Sequence, residues 1–270
     1  AALAVFCYAG YHLFTIYMDY KAGTDEYSAL EEFAYTKKDK DDAKEPERVT
    51  EGFVEDLMAE NETFAADAWG FVHLKGYVDG KEFEKMENPI DFASLQAINE
   101  DIIGWIEVEA LDINYPVVIG EDNDYYLHRT FRRQDNFAGS IFLDYMCRSD
   151  FSGRNTIVYG HNMKNGSMFG SLKEFRNQET YDKSPYFWIY TKDRIYQYEI
   201  FSCAEVGTYS EVYQIDFGTP EEFQNFIDVA KSRSVVGNDV DVSLRDTVVT
   251  LSTCTGNTET RFVVQGKRVR

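Results

Sequence analysis

Residues 248–254 read VVTLSTC, a run of β-branched and apolar residues that ends in a cysteine. Such a run is typical of a buried β-strand. A second strand-like run, RFVV, begins at Arg261. This spacing predicts that the Cys254 thiol and the Arg261 guanidinium lie at adjacent strand ends. A thiolate that attacks a carbonyl creates an oxyanion, and an arginine beside it supplies a planar set of donors that stays charged.

A candidate base lies in residues 156–162, TIVYGHN, where an apolar strand runs into Gly160 and then His161 at the start of a loop. A buried cysteine or an isolated histidine usually only packs, so neither residue is decisive alone. Both follow strand-like runs, however, and strand ends are where a rigid scaffold presents catalytic groups. Cys254, His161 and Arg261 therefore form the candidate catalytic set. His128 is the main competing histidine, and a packing or surface role is expected for it.

Several motifs of the chain resemble those of the sortases, the cysteine transpeptidases that attach proteins to Gram-positive cell walls. The resemblance is carried by TLSTC at 250–254 with Arg261 downstream, and by YGHNM at 159–163. Further segments resemble class B in particular, in the family's order. They are NEDIIGWI at 99–106, YPVV at 115–118, DNDYYL at 122–127 and GSIFLD at 139–144. The resemblance covers about residues 90–270.

The resemblance implies a ping-pong acyl transfer. Cys254 is expected to attack the Thr carbonyl of a C-terminal sorting signal and form a thioester, which an amine of the peptidoglycan precursor then attacks. His161 is expected to act as acid and base, and Arg261 to bind the substrate carbonyls and the oxyanion. The expected partners are surface proteins with a sorting signal of the Asn-Pro-Xaa-Thr kind. No cofactor or metal is implied.

Four polar residues beside the candidate catalytic set are candidates for substrate binding. They are Tyr159, Asn162, Ser252 and Thr253. Polar residues next to a strand end are more often structural, so both roles stay open for each of them.

From residue 105 onward the chain reads as short strand-like runs separated by turn residues. The runs cover 105–108, 113–119, 139–144, 155–159, 186–191, 194–206, 247–253 and 261–265. This pattern predicts a mainly β fold in which eight strands close into a barrel, which removes exposed sheet edges. The resemblance indicates a barrel of the sortase type, with helices at the N-terminal side.

One long helix is predicted between the sixth and seventh strands. Thr219 is placed to cap it, Pro220 to occupy its first position and Glu222 to complete a capping box. Its predicted buried stripe consists of Phe223, Phe226, Ile227 and Ala230. A helix at this position resembles the elaboration that separates class B sortases from plainer classes.

Residues 1–18 contain no Asp, Glu, Lys or Arg. An uncharged run of this length is close to the minimum that can cross a bilayer. We predict a transmembrane anchor here, truncated at its N terminus, that holds a single-pass protein with its catalytic domain outside the cell membrane. A signal-peptide core and a buried helix are the alternatives.

Residues 19–90 are predicted to form a juxtamembrane helical and linker region before the catalytic barrel at 91–270. Apolar residues recur at helical spacing at Tyr27, Leu30, Phe33 and Ala34. Residues 37–48 form a charge run typical of a solvated linker. Residues 49–90 are weakly patterned and longer than the resemblance leads us to expect, so disorder and a small accessory subdomain are both open.

The composition limits the classes of partner. A hydrophobic fraction of 44% is ample for a packed core, and a formal net charge of −20 repels nucleic acid and anionic membrane surfaces. The cysteines show no CxxC or Cys/His spacing, so neither a zinc site nor a disulfide framework is expected. They are Cys7, Cys147, Cys203 and Cys254.

Other functions remain open at this stage. A sortase that polymerises pilin subunits is one, although an evident Asp-Pro-aromatic lid motif before the barrel is missing. A non-catalytic surface binding module on a sortase-like barrel and a simple cysteine protease are the others.

Overall fold

The structure is a computed structural model that describes residues 2–35, 77–78, 81–82 and 88–270. The chain divides into two compact units, one made of Ala1–Thr36 and Asn88–Arg270 and the other of Lys37–Glu87. In the second unit the described residues form two short antiparallel strands, β1 (Tyr77–Val78) and β2 (Lys81–Glu82). Most of the linker and accessory region predicted at 37–90 lies outside the described residues.

The first unit contains the predicted eight-stranded closed barrel, which is confirmed. Its strands follow the order β10-β8-β7-β3-β4-β5-β6-β9 around the barrel. They are β3 (Ile102–Val108), β4 (Ile113–Ile119), β5 (Ile141–Leu143), β6 (Asn155–Tyr159), β7 (Tyr186–Tyr190), β8 (Ile195–Gly207), β9 (Val248–Cys254) and β10 (Thr260–Arg268).

Strand β10 runs beyond the end predicted at residue 265. A register shift lies between Gln265 and Gly266, and pairing with β8 continues to Arg268. A Cβ on Gly266 would lie 2.5 Å from the Phe187 ring, so only glycine fits this close approach. The glycine and the bulge break the apolar alternation that the sequence pattern follows, although the strand continues.

The described helices are α1 (Ala2–Ala34), α2 (Phe92–Ile98), α3 (Gln178–Lys183) and α4 (Pro220–Arg233). Helix α4 is the predicted helix between the sixth and seventh barrel strands. The Thr219 hydroxyl accepts from the Glu222 N–H at 3.3 Å, as predicted, but the Glu222 carboxylate accepts from the Gly218 N–H at 2.8 Å rather than from Thr219. The predicted stripe of α4 is buried against the barrel, where it meets Val248 of β9 and Val263 of β10.

Helix α1 is one continuous helix of 33 residues that passes through the boundary predicted at residue 18. Its second half packs on the barrel through Tyr27, Leu30 and Ala34, and the Tyr27 hydroxyl donates to the Gly139 carbonyl at 2.8 Å. Phe33 is 51% exposed, so its place in the predicted stripe is wrong. A helix turns about 100° per residue, which carries position 33 away from the face that 27, 30 and 34 share.

Across the part of the chain that the structure describes, none of the helices is both long and apolar enough to cross a lipid bilayer. The transmembrane anchor at residues 1–18 therefore stays a prediction. The segment lacks charged residues, but Tyr8, Tyr11 and Tyr17, with Gly10 and Thr15, keep its mean hydropathy low.

Candidate active site

The predicted catalytic residues lie on, or directly after, three neighbouring strands of the barrel. Strand β9 lies between β6, to which it is parallel, and β10, to which it is antiparallel. Cys254 and Arg261 are direct partners in the β9–β10 ladder. The β6–β9 register ends with Tyr159 opposite Ser252, and the Gly160 N–H donates to the Ser252 carbonyl at 3.1 Å, so the loop that carries His161 begins beside the end of β9. The barrel therefore brings all three residues to one edge.

Cys254 is presented to solvent because it is the last residue of β9. The six residues before it in the strand are buried, whereas Cys254 is exposed. Of the three cysteines whose side chains the structure describes, the other two are buried. Burial raises the pKa of Cys147 to about 11 and also raises the pKa of Cys203, so both thiols stay protonated and inert at neutral pH.

The orientation of His161 follows from one hydrogen bond. Its Nε2 lies 2.7 Å from the Leu127 carbonyl, and a carbonyl only accepts, so Nε2 carries the hydrogen. In the neutral ring, Nδ1 then holds the lone pair. Burial lowers the pKa of His161, the Leu127 carbonyl opposes this effect and the nearby His128 adds to it. The neutral imidazole is therefore favoured near pH 7.

His128, expected to be a packing or surface residue, lies against the candidate base. The His128 and His161 rings stack with centroids 5.9 Å apart. Among the described contacts of His161, Cys254 is not a hydrogen-bond partner. In structures without substrate, a nucleophile and its base are often not hydrogen-bonded to each other.

The Arg261 guanidinium is held by the loop that joins β9 to β10. Its Nη1 donates to the carbonyls of Thr258 at 3.1 Å and Thr260 at 2.8 Å. The Thr255 and Thr260 hydroxyls lie 2.6 Å apart and close the base of this loop. With Nη1 held by protein carbonyls, Nε and Nη2 are the Arg261 donors that remain for a substrate carbonyl.

Ser252 shares a strand face with Cys254, because residues two apart in a strand point the same way. Its hydroxyl lies 2.8 Å from that of Tyr213, which belongs to a 3₁₀ turn at Glu211–Tyr213. Burial raises the pKa of Tyr213, and the hydrogen bond with Ser252 and the positive charge of Arg261 partly offset this effect. No sequence pattern pointed to Tyr213, which lies in an unpatterned stretch before α4.

Tyr159 lies on the other side of Ser252, at the end of β6. Its hydroxyl donates to the Asp144 carboxylate at 2.9 Å, and the Asn123 amide donates to the same carboxylate oxygen at 2.9 Å. Burial and the negative charge of Asp144 raise the pKa of Tyr159. Asp144 and Asn123 lie in the sequence motifs quoted above, but the sequence indicated no contact for either.

The other two candidates for substrate binding are placed differently. Asn162 is half-buried and forms a β-bridge with Met168 in the loop after His161. Thr253 is buried, and its hydroxyl donates to the Gly160 carbonyl at 2.8 Å. Thr253 thus joins the ends of β6 and β9, and it points to the face opposite Cys254.

Within the described residues, His, Cys, Asp and Glu side chains form no group that could hold a metal ion. The side chains gathered at this edge are a thiol, an imidazole, a guanidinium and several hydroxyls, which together suit acyl transfer through a thioester.

Comparisons with known proteins agree with this chemistry. A family model described as Sortase domain matches residues 106–269. Sortase B of Listeria monocytogenes is 36% identical over 182 residues, which cover 66% of this chain and 74% of the relative. Sortase B of Staphylococcus aureus is 36% identical over 222 residues, which cover 75% of this chain and 91% of the relative.

A solved Staphylococcus aureus sortase B–substrate complex is similar with a TM-score of 0.69 at 27% identity, covering 94% of this chain and 99% of that chain. The chain belongs to the sortase family, and within that family to class B. It is a cysteine transpeptidase, which sets aside the non-catalytic binding module.

Proposed function

We propose that this enzyme cleaves a C-terminal sorting signal through a thioester on Cys254 and transfers the released surface protein to an amine of the peptidoglycan precursor. The observation that carries the proposal is the pairing of an exposed Cys254 with Arg261 across β9 and β10, beside the end of β6 from which the His161 loop starts. In this arrangement one carbonyl bound at Cys254 is within reach of residues from both neighbouring strands.

The first half-reaction forms the thioester. The Cys254 sulfur attacks the Thr carbonyl carbon while its proton passes to Nδ1 of His161, which is the lone-pair nitrogen. The oxyanion accepts hydrogen bonds from Nε and Nη2 of Arg261. The C–N bond then breaks, and His161 returns the proton to the leaving amine.

The second half-reaction transfers the acyl group to the acceptor amine and regenerates the free enzyme. An acceptor amine attacks the thioester carbonyl, and Nδ1 of His161 takes a proton from the attacking nitrogen. The C–S bond breaks and the sulfur leaves as the thiolate. The proton on His161 then restores the thiol, so atoms and charges balance over the cycle.

The sorting peptide lies along the hydroxyls beside Cys254. Tyr159 and Tyr213 flank the buried Ser252 on this side, and Asn162 lies in the loop beyond His161. Hydroxyls suit the amide groups of an Asn-Pro-Xaa-Thr motif because they both donate and accept. The structural similarity to a sortase B–substrate complex supports a peptide substrate.

The enzyme acts outside the cell membrane, where exported surface proteins and cell-wall precursors meet. Protease treatment of intact cells tests this location. We expect the catalytic domain to be digested without lysis, while resistance until lysis contradicts it.

The test of the reaction is incubation of the purified chain with Asn-Pro-Xaa-Thr peptides and a panel of amines that includes triglycine, diaminopimelate and a Lys side-chain peptide. Mass spectrometry should find the peptide acyl group joined to one amine, with a thioester on Cys254 in the absence of amine. Transfer to the Lys peptide alone would favour pilin polymerisation, and release to water alone a simple protease. Failure to cleave any peptide while Cys254 reacts with thiol reagents would contradict the proposal.

A further inference from the structure

A buried asparagine lies beneath the 3₁₀ turn at Glu211–Tyr213. Asn155, the first residue of β6, is fully buried, and its amide nitrogen donates to the carbonyls of Val212 at 3.0 Å and Gln214 at 2.8 Å. Its amide oxygen accepts from the Thr250 hydroxyl at 2.8 Å. Two carbonyls on one side and a donor on the other determine the orientation of the amide.

The two carbonyls that Asn155 holds flank Tyr213 in the chain. The Tyr213 hydroxyl in turn lies 2.8 Å from that of Ser252, on the strand face that carries Cys254. A path of hydrogen bonds therefore runs from the barrel side chains, through the turn, to the groove beside the nucleophile.

The bonds below the turn all point in one direction. The Gln265 amide donates to the Thr250 hydroxyl at 3.2 Å, this hydroxyl donates to Asn155, and Asn155 donates to the turn. All three side chains are buried, and donors aligned in this way strengthen one another in a low-dielectric interior. On its outer side the turn is held by an ion pair between the half-exposed Arg233 and Glu211. An exposed ion pair of this kind contributes little to stability by itself.

We propose that Asn155 is a positioning residue for the sorting peptide: it fixes the Glu211–Tyr213 turn so that the Tyr213 hydroxyl stays against Ser252 at the wall of the groove. The inference rests on the proposed function of that groove. Cys254, His161 and Arg261 are held by their own strands and loop, so release of the turn weakens peptide binding and leaves the chemical step intact.

Asn155→Asp is the sharpest variant, because a carboxylate still accepts from Thr250 but cannot donate to the two carbonyls. We expect KM for the best peptide to rise roughly five- to tenfold, as for the loss of one good hydrogen bond, while kcat stays within about twofold. Asn155→Ala and Tyr213→Phe should shift KM in the same direction. Asn155 and Tyr213 act through one contact. The double variant Asn155→Ala, Tyr213→Phe should therefore raise KM no further than the more impaired of the two single variants.

Asn238→Asp is the matched control. Asn238 also donates a side-chain amide to a backbone carbonyl, that of Phe201 at 3.1 Å, but it lies after α4 and takes no part in the hydrogen bonds that hold the turn. It should lower stability without changing KM. Active enzyme is counted by Cys254 labelling, so partial unfolding of a variant does not alter the comparison.

Hydrogen exchange of the Val212 and Tyr213 amides is a second readout that needs no peptide. Exchange should quicken in both Asn155 variants and stay at the wild-type rate in Asn238→Asp. Unchanged KM and exchange in Asn155→Asp, or additive KM effects with Tyr213→Phe, would overturn the inference. A wild-type enzyme that cleaves no peptide refutes the proposed function instead, and exchange still shows whether Asn155 holds the turn.

Discussion

At the scale of single residues, alternation along β9 decides what each side chain does. Thr250, Ser252 and Cys254 share one face, and the first two are covered while the last is exposed at the strand end. Thr253 points to the other face and bonds to Gly160. One face of β9 thus provides a hydrogen-bond donor to Asn155, a partner for Tyr213 and the proposed nucleophile.

Cys254→Ala should abolish peptide cleavage, because the thioester cannot form. Since Cys254 is exposed, the free energy of unfolding should change by less than about 0.5 kcal/mol. Mass spectrometry and urea unfolding measure the two effects. Cys147→Ala is the matched control: its thiol is buried and accepts from the Ile157 N–H, so it should lower stability and keep activity. Any acyl transfer by Cys254→Ala would refute the assignment.

Arg261→Lys should reduce kcat/KM by about 100-fold, the usual effect of removing an oxyanion donor. A lysine has a single ammonium group, which cannot hold the Thr258 and Thr260 carbonyls and also reach the substrate as a guanidinium fork does. Steady-state kinetics measure this loss. Arg176→Lys, at an exposed ion pair with Glu205, is the control and should retain full activity. Near-wild-type turnover of Arg261→Lys would show that the guanidinium is not the carbonyl clamp.

His161 should make stability depend on pH. Because burial lowers its pKa in the folded state, the unfolded chain binds a proton more readily as the pH falls below about 6.5. The contribution that His161 makes to the free energy of unfolding above that pH is therefore lost as the pH falls. Urea unfolding between pH 7.5 and 5.5 should show a smaller loss in His161→Gln than in the wild type. Equal losses would contradict the burial of a neutral imidazole.

At the scale of elements, helix α4 depends on its N-terminal cap. Thr219→Ala removes the acceptor for the Glu222 N–H and should lower the free energy of unfolding by about 1 kcal/mol. Urea unfolding is the measurement. Ser232→Ala, at an exposed position near the other end of the helix, should change stability by less than about 0.5 kcal/mol. Equal effects of the two variants would mean that the cap contributes nothing.

The strands were largely predictable, because each is a short run whose apolar residues and bounding turns are local in sequence. The exceptions have physical causes. Strand β10 extends past Gly266, where a bulge and a tight contact with Phe187 interrupt the pattern. The Glu222 carboxylate bonds to Gly218 instead of Thr219, a difference of one residue that capping patterns do not resolve.

At the scale of the whole molecule, the two halves of α1 should contribute differently. Deleting residues 1–18 should leave a folded chain that still cleaves peptide, because the described buried side chains of α1 and its bond to Gly139 lie in the second half of the helix. Tyr27→Ala should instead lower the free energy of unfolding by about 3 kcal/mol, because it removes a buried ring and its bond to Gly139. Circular dichroism and peptide cleavage measure both. A truncated chain that is folded yet inert would place part of the site in residues 1–18.

The sequence by itself determined the eight strands and the Thr219 cap of α4, and it made Cys254, His161 and Arg261 the candidate catalytic set, since each of these depends on residues close together in the chain. Only the tertiary structure decided how the site is oriented. Contacts from His161 to Leu127, from Tyr213 to Ser252 and from Asn155 to Val212 join residues 34, 39 and 57 positions apart. They exist because barrel closure sets the register of β6, β9 and β10 and brings the turn before α4 onto their shared face, which no local pattern encodes.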